Sequence, residues 1–161
     1  MAVHKLILED VFEEEQYALI AIHCTIEDYR LAYLLNRDLD VKLSRKPTDI
    51  DFNNGASSFS IFEWEDEKQL TTWSLISNVC KIEAYQTIGS GSLFDMQEKI
   101  TNTYCLVPEY KRVNYFLKIE SEFNYSKEKY ILSAILKIPQ IATAYSIDIN
   151  QLKSKDNLIF N

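Results

Sequence analysis

Glu63 and Glu65 stand either side of Trp64 in the run Ile61-Phe62-Glu63-Trp64-Glu65. Side chains alternate on an extended backbone, so both carboxylates share one face and Trp64 takes the other. Two carboxylates on one face can do general acid–base work when a neighbour raises the pKa of one of them. Nothing nearby in the sequence signals such a neighbour, and a solvated strand edge accounts for the pattern. The same holds for the acidic run Glu13-Glu14-Glu15. His4 and His23 are the only histidines. Cys24 follows His23 directly, and on a strand the two point to opposite faces, which makes joint ligation of one ion awkward. A buried cysteine beside a surface or hydrogen-bonded histidine is expected instead. Gly89-Ser90-Gly91-Ser92 lacks the third glycine and the following helix of a phosphate cradle, and reads as a loop. No Gly-x-Ser-x-Gly elbow occurs. The sequence therefore leads us to expect no catalytic residue, no metal and no cofactor.

One further run carries a candidate site. Val107-Pro108-Glu109-Tyr110-Lys111-Arg112-Val113-Asn114-Tyr115 joins a turn signal to a strand signal. Pro108 fixes its own φ and biases Val107 to an extended form. Glu109 then opens the turn and Val113 starts the strand. As a binding loop it would offer Pro108, Glu109, Val113, Asn114 and Tyr115. The competing reading is a rigid corner entering a central strand, with Glu109 bonded to backbone or to a cation. Alternation predicts Val113, Tyr115 and Leu117 toward the helices, and Asn114, Phe116 and Lys118 on the other face, Phe116 at least partly covered.

This run resembles the motif that labels the IPExxxVDY family of Bacteroidetes proteins: Ile-Pro-Glu, three variable residues, Val-Asp-Tyr. Val107 stands for the Ile and Asn114 for the Asp, while Pro108, Glu109, Val113 and Tyr115 match. Val3-His4-Lys5-Leu6, Tyr29-Arg30-Leu31-Ala32-Tyr33-Leu34-Leu35, Ile61-Phe62-Glu63-Trp64-Glu65 and Asn150-Gln151-Leu152-Lys153-Ser154-Lys155 are similar to family sequence too, so the resemblance covers nearly the whole chain. It brings no activity, cofactor or ligand with it. An amide does not accept a proton at pH 7, so Asn114 cannot stand in for a catalytic base. A structural hydrogen bond survives that replacement more easily.

Two strand–helix units must position these residues. Tyr17 to Cys24 reads as a strand, Thr25 as a helix cap, and Leu31, Leu34, Leu35 and Leu39 recur at helical spacing. The helix should stop near Asp40. Val113 to Glu120 reads as the second strand, with Asn124 or Ser126 as cap and Ile131, Ala134, Ile135 and Ile138 as the buried face of a helix ended by Pro139. Ile141 to Ile149 returns as a strand. The likeness of the two units is common supersecondary grammar. Between them, Phe59 to Trp64 and Leu70 to Leu75 read as a hairpin, with Val79 to Tyr85 as its third strand and Tyr104 to Val107 as another. Loops are expected at Asp49–Ser58 and around Gly89–Ser92. The expected class is α+β: a largely antiparallel β-sheet with two main helices packed on one face and the other face partly wet.

Composition bounds the rest. The chain has 161 residues, 47% of them hydrophobic, and is read as a single α+β domain over 1–161. Its net charge of −7 opposes phosphate backbones, so no nucleic-acid partner is expected. The clusters Lys42, Arg45, Lys46 and Lys111, Arg112 read as solvated surface. Cys24, Cys80 and Cys105 are odd in number and widely spaced, as in a reducing compartment. His4 and Lys5 precede only three apolar residues, and no run approaches a membrane span. A soluble, cytoplasmic protein without membrane partners is expected. Ten tyrosines suit a surface that binds a protein partner, although core packing accounts for many of them. The leading expectation is a non-catalytic interaction or adaptor module. The alternative is a small-molecule or acyl-group binding domain, or a weak enzyme, with its ligand in a pocket between sheet and helices. With only three prolines to blunt sheet edges, self-association as a homodimer is also expected.

Overall fold

Leu19, Ile20, Ala21 and Ile22 are four consecutive residues with no exposed surface, which requires cover on both faces of their strand. A computed structural model of the chain describes residues 17–88, 96–121 and 125–160. In it these four residues sit in β1 (Tyr17–His23). The two helices are α1 (Asp28–Leu39) and α2 (Tyr125–Leu136). The remaining strands are β2 (Ser44–Arg45), β3 (Ile50–Phe52), β4 (Ser57–Phe59), β5 (Ile61–Asp66), β6 (Thr71–Ser77), β7 (Val79–Ile88), β8 (Met96–Cys105), β9 (Tyr115–Glu120) and β10 (Thr143–Ile147). A six-stranded sheet has the order β10-β1-β9-β6-β5-β2, antiparallel at every pairing. The fold is α+β. Each strand–helix unit is a crossover: α1 carries the chain from β1 to β2 at the far edge, and α2 carries it from β9 over β1 to β10.

Both helices pack on one face. Leu31, Leu34 and Leu35 of α1 and Ile131 and Ile135 of α2 meet Ile20, Ile22, Phe62, Trp73, Leu75, Leu117 and Ile119 of the sheet. The i, i+3, i+4 spacing makes that stripe. Helix α1 ends at Asp40, whose φ of 54° is left-handed, a conformation aspartate tolerates better than most residues. Asn36 then fixes the exit: its amide donates to the Leu43 carbonyl at 3.0 Å and its oxygen accepts from the Leu43 N–H at 2.8 Å. Thr25 is not the cap. The helix starts at Asp28, whose carboxylate accepts from the Tyr29 N–H. Ser126 lies inside the first turn of α2, and Asn124 lies outside the described residues.

The opposite face is wet only in part: Glu65, Thr143 and Tyr145 are exposed at its margins, while its centre is covered. Leu19, Ala21, Ile61, Ile76, Phe116 and Ile147 point into a second apolar cluster, covered by Phe59, Leu106, Val107, Val113, Leu152 and Leu158. Strand alternation alone cannot distinguish water from loops as the cover. Here the cover is the corner after β8 and the turns that close the chain, at Ile149–Gln151 and Lys155–Leu158. Val113 accordingly belongs to this second cluster and not to the helix face, because the strand begins only at Tyr115. Leu106 and Val107 likewise leave strand geometry and drop into the core, so the strand expected at Tyr104–Val107 runs instead over Met96–Cys105.

Strand β7 is not the third strand of the β5–β6 hairpin, because β6 takes β9 as its other neighbour. The chain turns out of the sheet at Asn78, and β7 pairs only with β8, as a two-stranded ribbon of 10 residues a side. The region expected as a loop at Asp49–Ser58 holds the short β3–β4 hairpin, turned by left-handed Asn53, Asn54 and Gly55. Gly89–Ser92, His4 and Glu13–Glu15 lie outside the described residues.

Candidate functional site

Asn78 organises the Pro108 corner. It has no exposed surface. Its amide donates to the carbonyls of Tyr110 and Val113, both at 2.9 Å, and its side-chain oxygen accepts from the Val107 N–H at 2.9 Å. Its own N–H donates to Asn114 O, and its carbonyl accepts from Leu106 N. One side chain thus satisfies backbone groups on both sides of the turn, and adds a second bond to the Tyr110 carbonyl, which also accepts from the Val113 N–H at 3.0 Å. Nothing in the sequence signals this role, since a lone asparagine between two strand runs reads as a turn residue.

Pro108 begins a short 3₁₀ turn, Pro108–Tyr110, where its missing N–H costs nothing. Glu109 is exposed and reaches across to the end of the chain. Its carboxylate accepts from the backbone N–H groups of Lys153 and Ser154, both at 3.3 Å, and from the Ser154 hydroxyl. Partial burial works to raise its pKa. The Ser154 hydroxyl and the N–H groups of Ser154, Lys153 and Glu109 itself outweigh that, and the carboxyl sits below the usual glutamate range. Asn157 adds a second tie, donating to the Leu106 carbonyl at 2.8 Å.

Asn114 and Tyr115 tie the corner to the other layer. The Asn114 N–H donates to Ile22 O at 3.2 Å and its side-chain oxygen accepts from Cys24 N at 3.1 Å. The Tyr115 hydroxyl donates to Ile26 O at 2.8 Å, and burial, followed by the nearby Cys24, Asp28 and Glu27, pushes its pKa well up. These bonds fix the loop from which α1 starts. An aspartate at position 114 would offer the same acceptor to the Cys24 N–H. The five residues singled out in the sequence therefore lie together, with Pro108 and Glu109 at the surface and Val113, Asn114 and Tyr115 turned inward.

The other chemical candidates have partners or lack access. Glu63 pairs with Lys46 at 3.0 Å on the face away from the helices, while Glu65 is exposed. Arg45 pairs with Asp49, so two of the three cations in that basic cluster are already matched. His23 Nε2 lies 3.1 Å from the Tyr145 hydroxyl. Cys24 is buried, and burial pushes its thiol pKa up against a weaker pull from the Ile26 backbone, which disfavours the nucleophilic thiolate. Among the described residues no group of three or more His, Cys, Asp and Glu could hold a metal ion. No described helix is long and apolar enough to cross a membrane.

Among the described residues, Lys118 is the one charged side chain in the buried core, at 2% exposure. Its ammonium donates to the Leu158 carbonyl at 2.8 Å, pairs with Glu120 at 2.5 Å, and lies 4.6 Å and 5.1 Å from the ring centroids of Tyr17 and Phe160. Such contacts compensate for the desolvation of a buried cation. They also close it off from any substrate, so it pins the chain's end to β9.

The helix layer presents a different surface. Tyr29, Tyr33 and Tyr130 are 61%, 64% and 77% exposed. Tyr29, Tyr33 and Arg37 succeed one another by one turn along α1. Arg37 and Tyr130, with Asp38, Ser133, Ala134 and Lys137, line an open depression of about 480 Å³ between the helices. The Arg37 guanidinium forks onto Asp38 at 2.7 and 3.1 Å, raising its own pKa and lowering that of the carboxyl. Tyrosine exposure of this kind is invisible to a helical wheel read for its apolar stripe. No family model, curated protein or solved structure matches this chain.

Proposed function

We propose that this chain is a non-catalytic interaction or adaptor module of the cytoplasm that docks a protein partner on its helix layer. The observation that carries the reading is the exposure of Tyr33 and Tyr130 beside Arg37. Tyrosine and arginine are the residues that dominate binding energy at protein interfaces, because they bring large rigid surface and hydrogen bonding together. The depression between Arg37 and Tyr130 is open and lined with charge, which suits a protein side chain better than an acyl group. The cytoplasmic assignment rests on the three free cysteines. Cys80 and Cys105 sit near one another at the base of the ribbon but occupy opposite faces of it, since Cys80 opposes Tyr104 and Cys105 opposes Val79.

In this reading the Pro108 corner supports the surface without being it. Asn114 and Tyr115 hold the loop that launches α1, and so fix where Tyr29 and Tyr33 stand. The roles of Pro108, Glu109, Val113, Asn114 and Tyr115 also give physical content to the motif shared with the IPExxxVDY family, to which we assign the chain on that resemblance. The test is affinity capture from native lysate with the wild-type chain and with the double variant Tyr33→Ala/Tyr130→Ala. Both proteins should melt together, and a partner held by the wild type should be lost from the variant. Equal capture by both, or none by the wild type across several growth states, rejects the proposal.

A further inference from the structure

The β7–β8 ribbon leaves the body of the molecule with both of its outer edges unpaired. Beyond its base it is exposed: Lys81, Glu83, Ala84, Tyr85 and Gln86 on β7 and Gln97, Glu98, Lys99, Thr101, Asn102 and Thr103 on β8. An isolated two-stranded ribbon is marginal in water, and an unpaired edge is a template for another strand. The register sorts its side chains. Cys80, Ile82 and Ala84 share one face with Ile100, Asn102 and Tyr104, so the β7 side of that face is apolar from Cys80 to Ala84 and turns polar at Gln86 and Glu98. Lys81, Glu83 and Tyr85 share the other with Lys99, Thr101 and Thr103, and Lys99 pairs with Glu83 at 2.8 Å.

We propose that two copies of this chain pair antiparallel along their β7 edges, giving a four-stranded sheet β8-β7-β7-β8 across a twofold axis at Ile82. Charge and register select a second copy as the occupant. A twofold axis between antiparallel strands runs perpendicular to the sheet, so residues that oppose one another come from the same face of each copy. Placing Ile82 opposite Ile82 sets Lys81 opposite Glu83 of the second copy, and Glu83 opposite its Lys81. Both ion pairs form at once. The same register sets Ala84 opposite Cys80 and Tyr85 opposite Val79, so Cys80, Ile82 and Ala84 of the two copies form one continuous apolar row. The edge of β8 offers no equivalent. Glu98 and Lys99 are neighbours on opposite faces, so no twofold register opposes them. Charge on the ribbon is also balanced, Lys81 and Lys99 against Glu83 and Glu98, in a chain whose net charge of −7 otherwise makes two copies repel. This surface is separate from the helix layer, and a dimer built on it would present that layer twice.

The experiment combines sedimentation velocity with a cysteine at the axis. The wild-type chain should sediment as a dimer at micromolar concentration. Lys81→Glu sets glutamate against Glu83 twice and should weaken the dimer at least ~10-fold, because opposed like charges in cross-strand pairs repel. Ile82→Cys, in a background with Cys80→Ser and Cys105→Ser, should give a covalent dimer under mild oxidation, since cross-strand partners lie within disulfide reach. Thr103→Cys, on the outer strand, should not. A monomeric wild type overturns the proposal. So does a dimer that neither weakens with Lys81→Glu nor crosslinks through position 82. Neither result bears on capture by the helix layer, which is scored separately with the Tyr33→Ala/Tyr130→Ala variant.

Discussion

At the scale of single residues, the corner makes its predictions through hydrogen bonds that have no substitute. Asn78→Ala removes a donor from two carbonyls and the acceptor from Val107 N–H, all near or in the core. It should cost roughly 2–4 kcal/mol in urea unfolding, the penalty of leaving buried groups unpaired. A loss below about 0.5 kcal/mol, the scale of a neutral surface change, would show that the turn holds itself. Glu109 is exposed, so its substitution is milder: Glu109→Gln should cost about 1 kcal/mol or less near pH 7. The sign with pH follows from its depressed pKa. The carboxylate stabilises the fold above the unfolded glutamate value of about 4.3, and the contribution fades as pH falls through the lower folded value. Wild type and Glu109→Gln should therefore converge in stability as pH falls through the lowered folded value, and a gap that widened on acidification would contradict the assignment. Asn114→Asp keeps the acceptor for Cys24 N–H and should stay within about 1 kcal/mol of wild type, whereas Asn114→Val should lose more. Equal losses in thermal melts of the two would mean that the acceptor is not what position 114 supplies.

At the scale of elements, the helix side of the fold was legible and the far side was not. Leu31, Leu34 and Leu35 announce α1 by spacing, and Pro139 closes the region after α2 as its ring dictates. Tyr17–His23 and Tyr115–Glu120 read as strands because their apolar residues run almost without interruption. What covers the second face of a sheet is a long-range fact. The residues that do it, Leu106, Val107, Leu152 and Leu158, lie in loops and short turns without period. The same limit explains β7. Its strand pattern is clear, but its partner depends on Asn78 turning the chain out of the sheet. In the candidate site, Pro108 and Glu109 could be read as a rigid turn, while Asn78, Ser154 and Asn157 stand 29 to 51 residues away from the groups they bond. Phe116→Ala tests the covered face. Deleting a large side chain from a closed core should cost about 3–5 kcal/mol, against less than 1 kcal/mol from a wet face. Chemical denaturation distinguishes the two.

At the scale of the whole molecule, the centre of the sheet is covered on both sides and its buried Lys118 is sealed against Leu158 and Glu120. What stays outward is tyrosine on the helix layer and the ribbon opposite no part of the main sheet. The Pro108 corner and the tyrosine patch are the two candidate surfaces for a protein partner of another kind, and they differ in one respect: the corner residues are committed to internal bonds. The most direct measurement is site-specific photo-crosslinking in native lysate, with a photoreactive phenylalanine placed at Tyr130 in one protein and at the exposed Arg112 of the corner in another. Adducts of a defined mass from position 130, and none above background from position 112, are the result this account predicts. Adducts confined to position 112 would contradict it and return the binding role to Pro108, Glu109 and their neighbours.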